Sequence, residues 1–130
     1  MTAAAFLELY PPVADDAPRA TGVGAARVHQ AVEFIHRFAA DPITPTDVAA
    51  AVGVSPRALQ AGFRSVLDTS PAALIRDVRL TRAHDELTAS DVSRTTVGAV
   101  ARHWGFPHLG RFAEQYRRRF GRNPSETLAG

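Results

Sequence analysis

The chain has no cysteine among its 130 residues, and that one absence excludes disulfides, thiolate metal sites and thiol nucleophiles. Lysine is absent as well, so all fifteen basic residues are arginine. Positive charge is therefore carried on a planar fork suited to phosphates and guanine edges rather than on a point charge. No apolar run approaches the length that spans a bilayer, and the first residues lack the basic-then-apolar pattern of a secretory signal. The expectation is a soluble protein of the cytoplasm with no membrane partner. Paired carboxylates, a phosphate-cradling glycine loop and a nucleophile motif are all missing, which argues against an enzyme. No segment alternates like a strand, so the fold is expected to be all-α.

The net charge of +2 hides an asymmetry. Residues 1–54 hold three arginines against six acids, a balance of −3, whereas residues 55–130 hold twelve against seven, a balance of +5. A polyanionic partner would meet the second stretch.

What the chain does contain is a repeated phrase. DVAAAVGVSPRALQAGFR surrounds residue 53, and GAVARHWGFPHLGRFAEQYR surrounds residue 105. In each copy a run of small residues ends at a glycine (Gly53, Gly105), one apolar residue follows (Val54, Phe106), and a second helix opens. Phe63 and Tyr116 occupy matching points, and each precedes a proline by eight residues (Pro71, Pro124). Helix, glycine turn, helix is the outline of the helix-turn-helix, whose second helix enters the DNA major groove.

Helix starts are legible because four cap residues stand directly before prolines: Thr44-Pro45, Ser55-Pro56, Ser70-Pro71 and Asn123-Pro124. Thr44 with Asp47, and Asn123 with Glu126, have capping-box spacing. The pattern predicts seven short helices over about 27–40, 45–52, 56–67, 71–88, 96–104, 108–120 and 124–129. Val28, Ala31, Val32, Ile35 and Phe38 form the apolar stripe of the first. Residues 3–10 could form a further short helix ended by Pro11-Pro12, and 15–24 read as linker. Residues 1–25 are thus set apart from a domain over 26–130. In that domain a linker helix at 71–88 joins one helix-turn-helix at about 45–67 to another at about 96–120. About eighteen residues of helix span roughly 27 Å, which suits two recognition helices near the 34 Å spacing of successive major grooves.

These strings resemble the DNA-binding domain of the AraC/XylS family of transcription regulators. ITPTDVAAAVGVSPRAL, SPAALIRDVRLTRAHDEL, WGF and YRRRFGRNPSETL carry the resemblance, which covers about residues 26–129. It implies a regulator that binds double-stranded DNA without a cofactor, with RNA polymerase as a partner of the full regulator. It also implies that any effector ligand belongs to an upstream domain absent from this chain, of which residues 3–12 would be the last remnant.

On the first recognition helix the family's base-facing positions fall on Arg57, Gln60 and Ala61. Arg57 suits guanine and Gln60 adenine, each through two hydrogen bonds, while Ala61, where arginine is frequent in the family, offers only an apolar contact. On the second, the exposed positions are His108, Leu109, Arg111, Glu114 and Gln115. Arg111, His108 and Glu114 are the candidate readers; Glu114 could accept from cytosine or simply pair with Arg117 or Arg118. Ser55, Arg64, Arg117 and Arg118 are candidate contacts to the DNA backbone, where released counterions add affinity for any sequence. Arg79 and Arg82 are expected to be structural, pairing with acids such as Asp85 or Glu86. Trp104, Phe106, Phe112, Tyr116 and Phe120 read as core, as do Val48, Val52, Leu59 and Phe63. The histidines near the second turn (His103, His108) and the His84-Asp85-Glu86 run lack helical metal-ligand spacing, so no metal is expected. The competing reading is a protein-interaction module on the same helices with weak or one-sided DNA binding, toward which Ala61 and Glu114 lean.

Overall fold

In the computed structural model, residues 23–130 are described, and over them the chain is all-helical. The helix expected over 3–10 lies outside the described residues, as does nearly all of the expected linker. Seven helices follow: α1 (Ala25–Phe38), α2 (Pro45–Val52), α3 (Pro56–Leu67), α4 (Pro71–Ala89), α5 (Val97–His103), α6 (Leu109–Phe120) and α7 (Pro124–Ala129). The caps explain why the starts agree with the sequence reading. Ser55 Oγ accepts the Ala58 amide at 3.1 Å, and Ser70 Oγ accepts that of Ala73 at 3.1 Å. Thr44 Oγ1 accepts from the Asp47 amide at 3.2 Å while the Asp47 carboxylate accepts from the Thr44 amide at 2.9 Å, a complete capping box. Before α7 the Asn123 amide donates to Glu126 at 2.8 Å. Thr96 caps α5 through the Ala99 amide at 3.0 Å, and with no proline behind it this cap escaped notice in the sequence. The departure is α1, which begins two residues before 27, the Val28 amide donating to the Gly24 carbonyl at 3.2 Å, and ends two residues before 40, where the Asp41 amide turns back to the Phe38 carbonyl at 2.9 Å.

The described residues fall into two compact units, one formed by 23–34 and 44–74, the other by 35–43 and 75–130. In the first, α2 packs on α3, and Val28, Ala31, Val48, Ala49, Leu59 and Phe63 are fully buried. Gly62 is buried where α3 meets the chain around α1: a Cβ there would lie 3.0 Å from Val23 and 3.2 Å from Val28. Arg27 donates to the Val52 carbonyl at the end of α2, so a cation sits at the negative end of that helix.

In the second unit α5, α6 and α7 pack pairwise around Leu80, Ala83, Leu87, Val100, Ala101, Phe112, Tyr116 and Leu128. Val97, Trp104, Phe106 and Phe120 close the cluster from its edge. The polar end of Tyr116 is satisfied inside it, donating to Thr127 Oγ1 at 2.8 Å and lying 2.6 Å from His84 Nδ1. Burial raises the pKa of this hydroxyl, against the smaller downward pull of the Thr127 bond and the Arg122 charge.

The two linker-helix arginines are structural, as expected, but their partners differ from the expected acids. Arg79 donates to the carbonyls of Ala39 at 2.9 Å and Asp41 at 2.7 Å, and Arg82 donates to that of His36 at 2.6 Å. These are the orphan carbonyls at the end of α1 and just past it, and guanidinium forks from α4 satisfy them. Glu86 instead accepts from Trp104 Nε1 at 2.8 Å and faces His103 Nδ1 at 3.1 Å. Partial burial lowers the pKa of Arg79, which nonetheless stays cationic. Arg79→Lys keeps the charge and loses the fork that reaches several carbonyls. It should lower stability by about 2 kcal/mol, the worth of one charge-assisted bond, read as the shift in urea unfolding midpoint.

Candidate nucleic-acid interface

The duplicated phrase folds into duplicated geometry. α3 and α6 are both 12 residues long. Counted from the caps Ser55 and His108, the buried anchors fall four and eight residues on: Leu59 and Phe63 in α3, Phe112 and Tyr116 in α6. Both helices end on a left-handed residue, Asp68 at φ 54° and Gly121 at φ 77°. The turns before them hold Gly53 at φ 77° and Gly105 at φ 83°. Glycine is needed there for two reasons. The conformation disfavours a Cβ, and a guanidinium occupies the space a side chain would take: Arg27 at 3.3 Å in the first unit, Arg79 at 3.4 Å in the second. That pairing of turn glycine with packed arginine was not evident in the sequence, since 26 residues separate each pair in the chain.

On α3, Arg57, Gln60, Ala61 and Arg64 fall at i, i+3, i+4 and i+7 and so share one stripe, opposite the buried anchors. Arg57, Gln60 and Arg64 are exposed and Ala61 is half-buried. Among the described residues none of the three exposed side chains has a hydrogen-bond or ion-pair partner. Ser55 is exposed at the head of the same helix, with its oxygen engaged by the Ala58 amide. Two free forks, an amide and a small apolar residue thus face outward on a helix held rigidly from behind.

α6 brings its candidates out differently. His108, Leu109, Arg111, Glu114, Arg117 and Arg118 are all exposed. His108 occupies the cap position without a side-chain capping bond, and Arg111 is unpartnered among the described residues. Glu114 accepts from Arg118 at 3.0 Å, an exposed i,i+4 pair that takes up charge from both. Arg117 donates to Asn123 Oδ1 at 3.3 Å, and Arg119 donates to Thr81 at 3.2 Å while lying over the Phe120 ring. Gln115 is half-buried rather than exposed. It occupies the position of the buried Gly62, one residue before the Tyr116 anchor, on the flank of the buried face.

The second turn is one residue longer, since Pro107 stands between Phe106 and the cap. Matched from their caps, α3 and α6 therefore pair Arg57 with Gly110, Gln60 with Ala113, Ala61 with Glu114 and Arg64 with Arg117. Arg111 stands where α3 has Ala58. Matching the copies at the turn glycine conceals this step, and the extra proline is the signal that reveals it.

Sorting the arginines separates frame from surface. Arg27, Arg79, Arg82 and Arg122 donate to backbone carbonyls. Among the described residues Arg57, Arg64, Arg76, Arg102 and Arg111 have no partner. Among those residues, too, no group of His, Asp and Glu could hold a metal, and no helix is long and apolar enough to cross a membrane.

Residues 48–130 match a helix-turn-helix domain family. The chain is 41% identical over 101 residues to a probable thc operon regulatory protein of Rhodococcus erythropolis, covering 78% of this chain and 30% of that protein. It is 36% identical over 98 residues to XylDLEGF operon transcriptional activator 2 of Pseudomonas putida, covering 75% of this chain and 62% of that one. This chain thus corresponds to only part of each curated relative. A solved structure of a probable AraC family transcriptional regulator from Rhodopseudomonas palustris CGA009 matches with a TM-score of 0.74 at 39% identity, covering 80% of this chain and 95% of that one. A transcriptional regulator of AraC type from Chromobacterium violaceum matches at 0.72 and 27% identity, covering 79% and 89%. By its paired helix-turn-helix sequence, its helical fold and these relatives, the chain belongs to the AraC/XylS family of DNA-binding transcription regulators.

Proposed function

We propose that this chain is the sequence-reading part of its regulator, with Arg57, Gln60 and Ala61 of α3 reading bases and Ser55 and Arg64 positioning the helix on phosphates. The observation that carries this reading is the unpartnered Arg57–Gln60–Arg64 stripe, exposed opposite the fully buried Leu59 and Phe63. Buried anchors set the angle of the helix, and free donors on the far side meet base edges in the major groove. In the second unit His108 and Arg111 read bases near the start of α6, while Arg117 and Arg118 hold the backbone. Glu114 is an intrahelical partner of Arg118 more than a reader, which its 3.0 Å pair supports. Each unit engages its own major-groove segment. RNA polymerase is a partner of the full regulator, a reading favoured by the description of the P. putida relative as a transcriptional activator. Any response to an effector belongs to a further domain, in keeping with the 30% of the R. erythropolis relative that this chain matches. The site of action is the cytoplasm, where the DNA is.

Footprinting at saturation should give two separate protected patches; a single patch of 4–5 bp would mean that one unit stays off the DNA. Arg57→Ala should cost about 1–3 kcal/mol on the preferred duplex and flatten the preference at one base pair. Arg117→Ala should weaken all sequences alike and reduce the salt dependence by about one counterion. A selected motif unchanged at every position in Arg57→Ala would end the assignment of base reading to that residue. Glu114→Gln removes a repelling charge and frees Arg118, so affinity should rise and the slope of log affinity against log salt should steepen by about one. Fluorescence anisotropy over a range of salt concentrations measures both effects.

A further inference from the structure

The cap-to-cap match leaves α6 without the donors that α3 presents. Where α3 has Arg57 and Gln60, α6 has Gly110 and Ala113, and neither side chain can donate to a base edge. The third position is Glu114, already held by Arg118 at 3.0 Å. Between His108 and Arg111, the head of α6 also presents an apolar side chain. Leu109, its first residue, is 51% exposed, among the few large apolar side chains left in solvent in the described chain. It is no part of the cluster built on Phe112 and Tyr116, and the corresponding residue of α3 is Pro56. The first residues of a recognition helix are those that reach base edges. The free Arg111 fork and the exposed Arg117 and Arg118 stand on the same helix, supplying the charge that draws it to duplex DNA.

We propose that the second unit, beside the reading by His108 and Arg111, recognises the 5-methyl group of a thymine, and that Leu109 is the residue that reads it. The inference rests on α6 entering a major groove, as proposed above. The thymine methyl is the apolar feature of the major groove, and an aliphatic side chain discriminates for it without hydrogen bonds. An exposed leucine ahead of a donor-poor face gains from that contact and from no other base feature. The two units thus differ in balance, α3 leaning on the hydrogen bonds of Arg57 and Gln60 and α6 adding a methyl contact to those of His108 and Arg111.

The test replaces each thymine of the selected duplex in turn by deoxyuridine, which removes the methyl and leaves every hydrogen-bonding group in place. With the wild-type chain, at least one such change, outside the base pairs whose preference depends on Arg57, should weaken binding about fourfold, the worth of one buried methyl group. Leu109→Ala and Leu109→Gln should bind the unmodified duplex more weakly and be indifferent to deoxyuridine at that position. Circular dichroism should show both variants as helical as the wild type, since the side chain lies outside the core. The proposal is overturned if the second segment contains no thymine contact, if no deoxyuridine change there weakens wild-type binding, or if the sensitivity survives in both Leu109 variants. Failure of the underlying reading looks different: the chain would then enrich no duplex sequence at all, or only sequences protected in a single patch.

Discussion

Everything else in this chain depends on how a 12-residue helix is held from one side. A recognition helix must leave a polar stripe bare, so it cannot be buried all round, and an isolated helix of that length is marginal in water. Two anchors per helix solve the problem: Leu59 with Phe63 in α3 and Phe112 with Tyr116 in α6, all with no exposed surface. Each is spaced one helical turn from its fellow, so both point the same way and the opposite stripe points out. Side chains of this size contribute about 1.5–3 kcal/mol each on burial, more than the caps at about 1 kcal/mol. The caps do a different job, setting where the helix begins and therefore which residues fall on the stripe.

Arginine serves both halves of this arrangement. With no lysine available, the same side chain must stabilise helix ends and meet nucleic acid, and location decides which. Forks that find unsatisfied carbonyls close by become part of the frame, as Arg79 does at Ala39 and Asp41 and Arg82 at His36. Forks on the outer stripe find none, so Arg57, Arg64 and Arg111 stay available. The turn glycines belong to the frame as well. Gly53 and Gly105 give room to Arg27 and Arg79, linking the shape of each turn to a distant helix end.

Much of this was legible in the sequence because it is local. Proline after a cap residue fixes a helix start within a few residues, and the repeated apolar spacing named the anchors correctly. The seven helices followed from those signals, and the family from the resemblance of whole strings such as ITPTDVAAAVGVSPRAL and YRRRFGRNPSETL. What stayed hidden depends on contacts between distant segments or on register. The acids next to Arg79 and Arg82 in sequence were natural candidates for partners, yet carbonyls forty residues away compete better, because a helix end has acceptors that nothing else satisfies. Pro107 lengthens one turn by a single residue, and a step of one residue rotates a helical position by about 100°. That step matches Arg57 with Gly110, where matching at the turn glycines would have matched it with Leu109, and it sets Gln115 at the place of the buried Gly62.

The central claim is that the arginines divide into frame and reading surface. The most direct measurement follows the Nε–H signals of individual arginine side chains by nuclear magnetic resonance as a selected duplex is added. The account predicts that Arg57, Arg64 and Arg111 shift and broaden with saturation, while Arg27, Arg79 and Arg82 stay in place. Movement of Arg79 and Arg82 with Arg57 and Arg64 unchanged would contradict it.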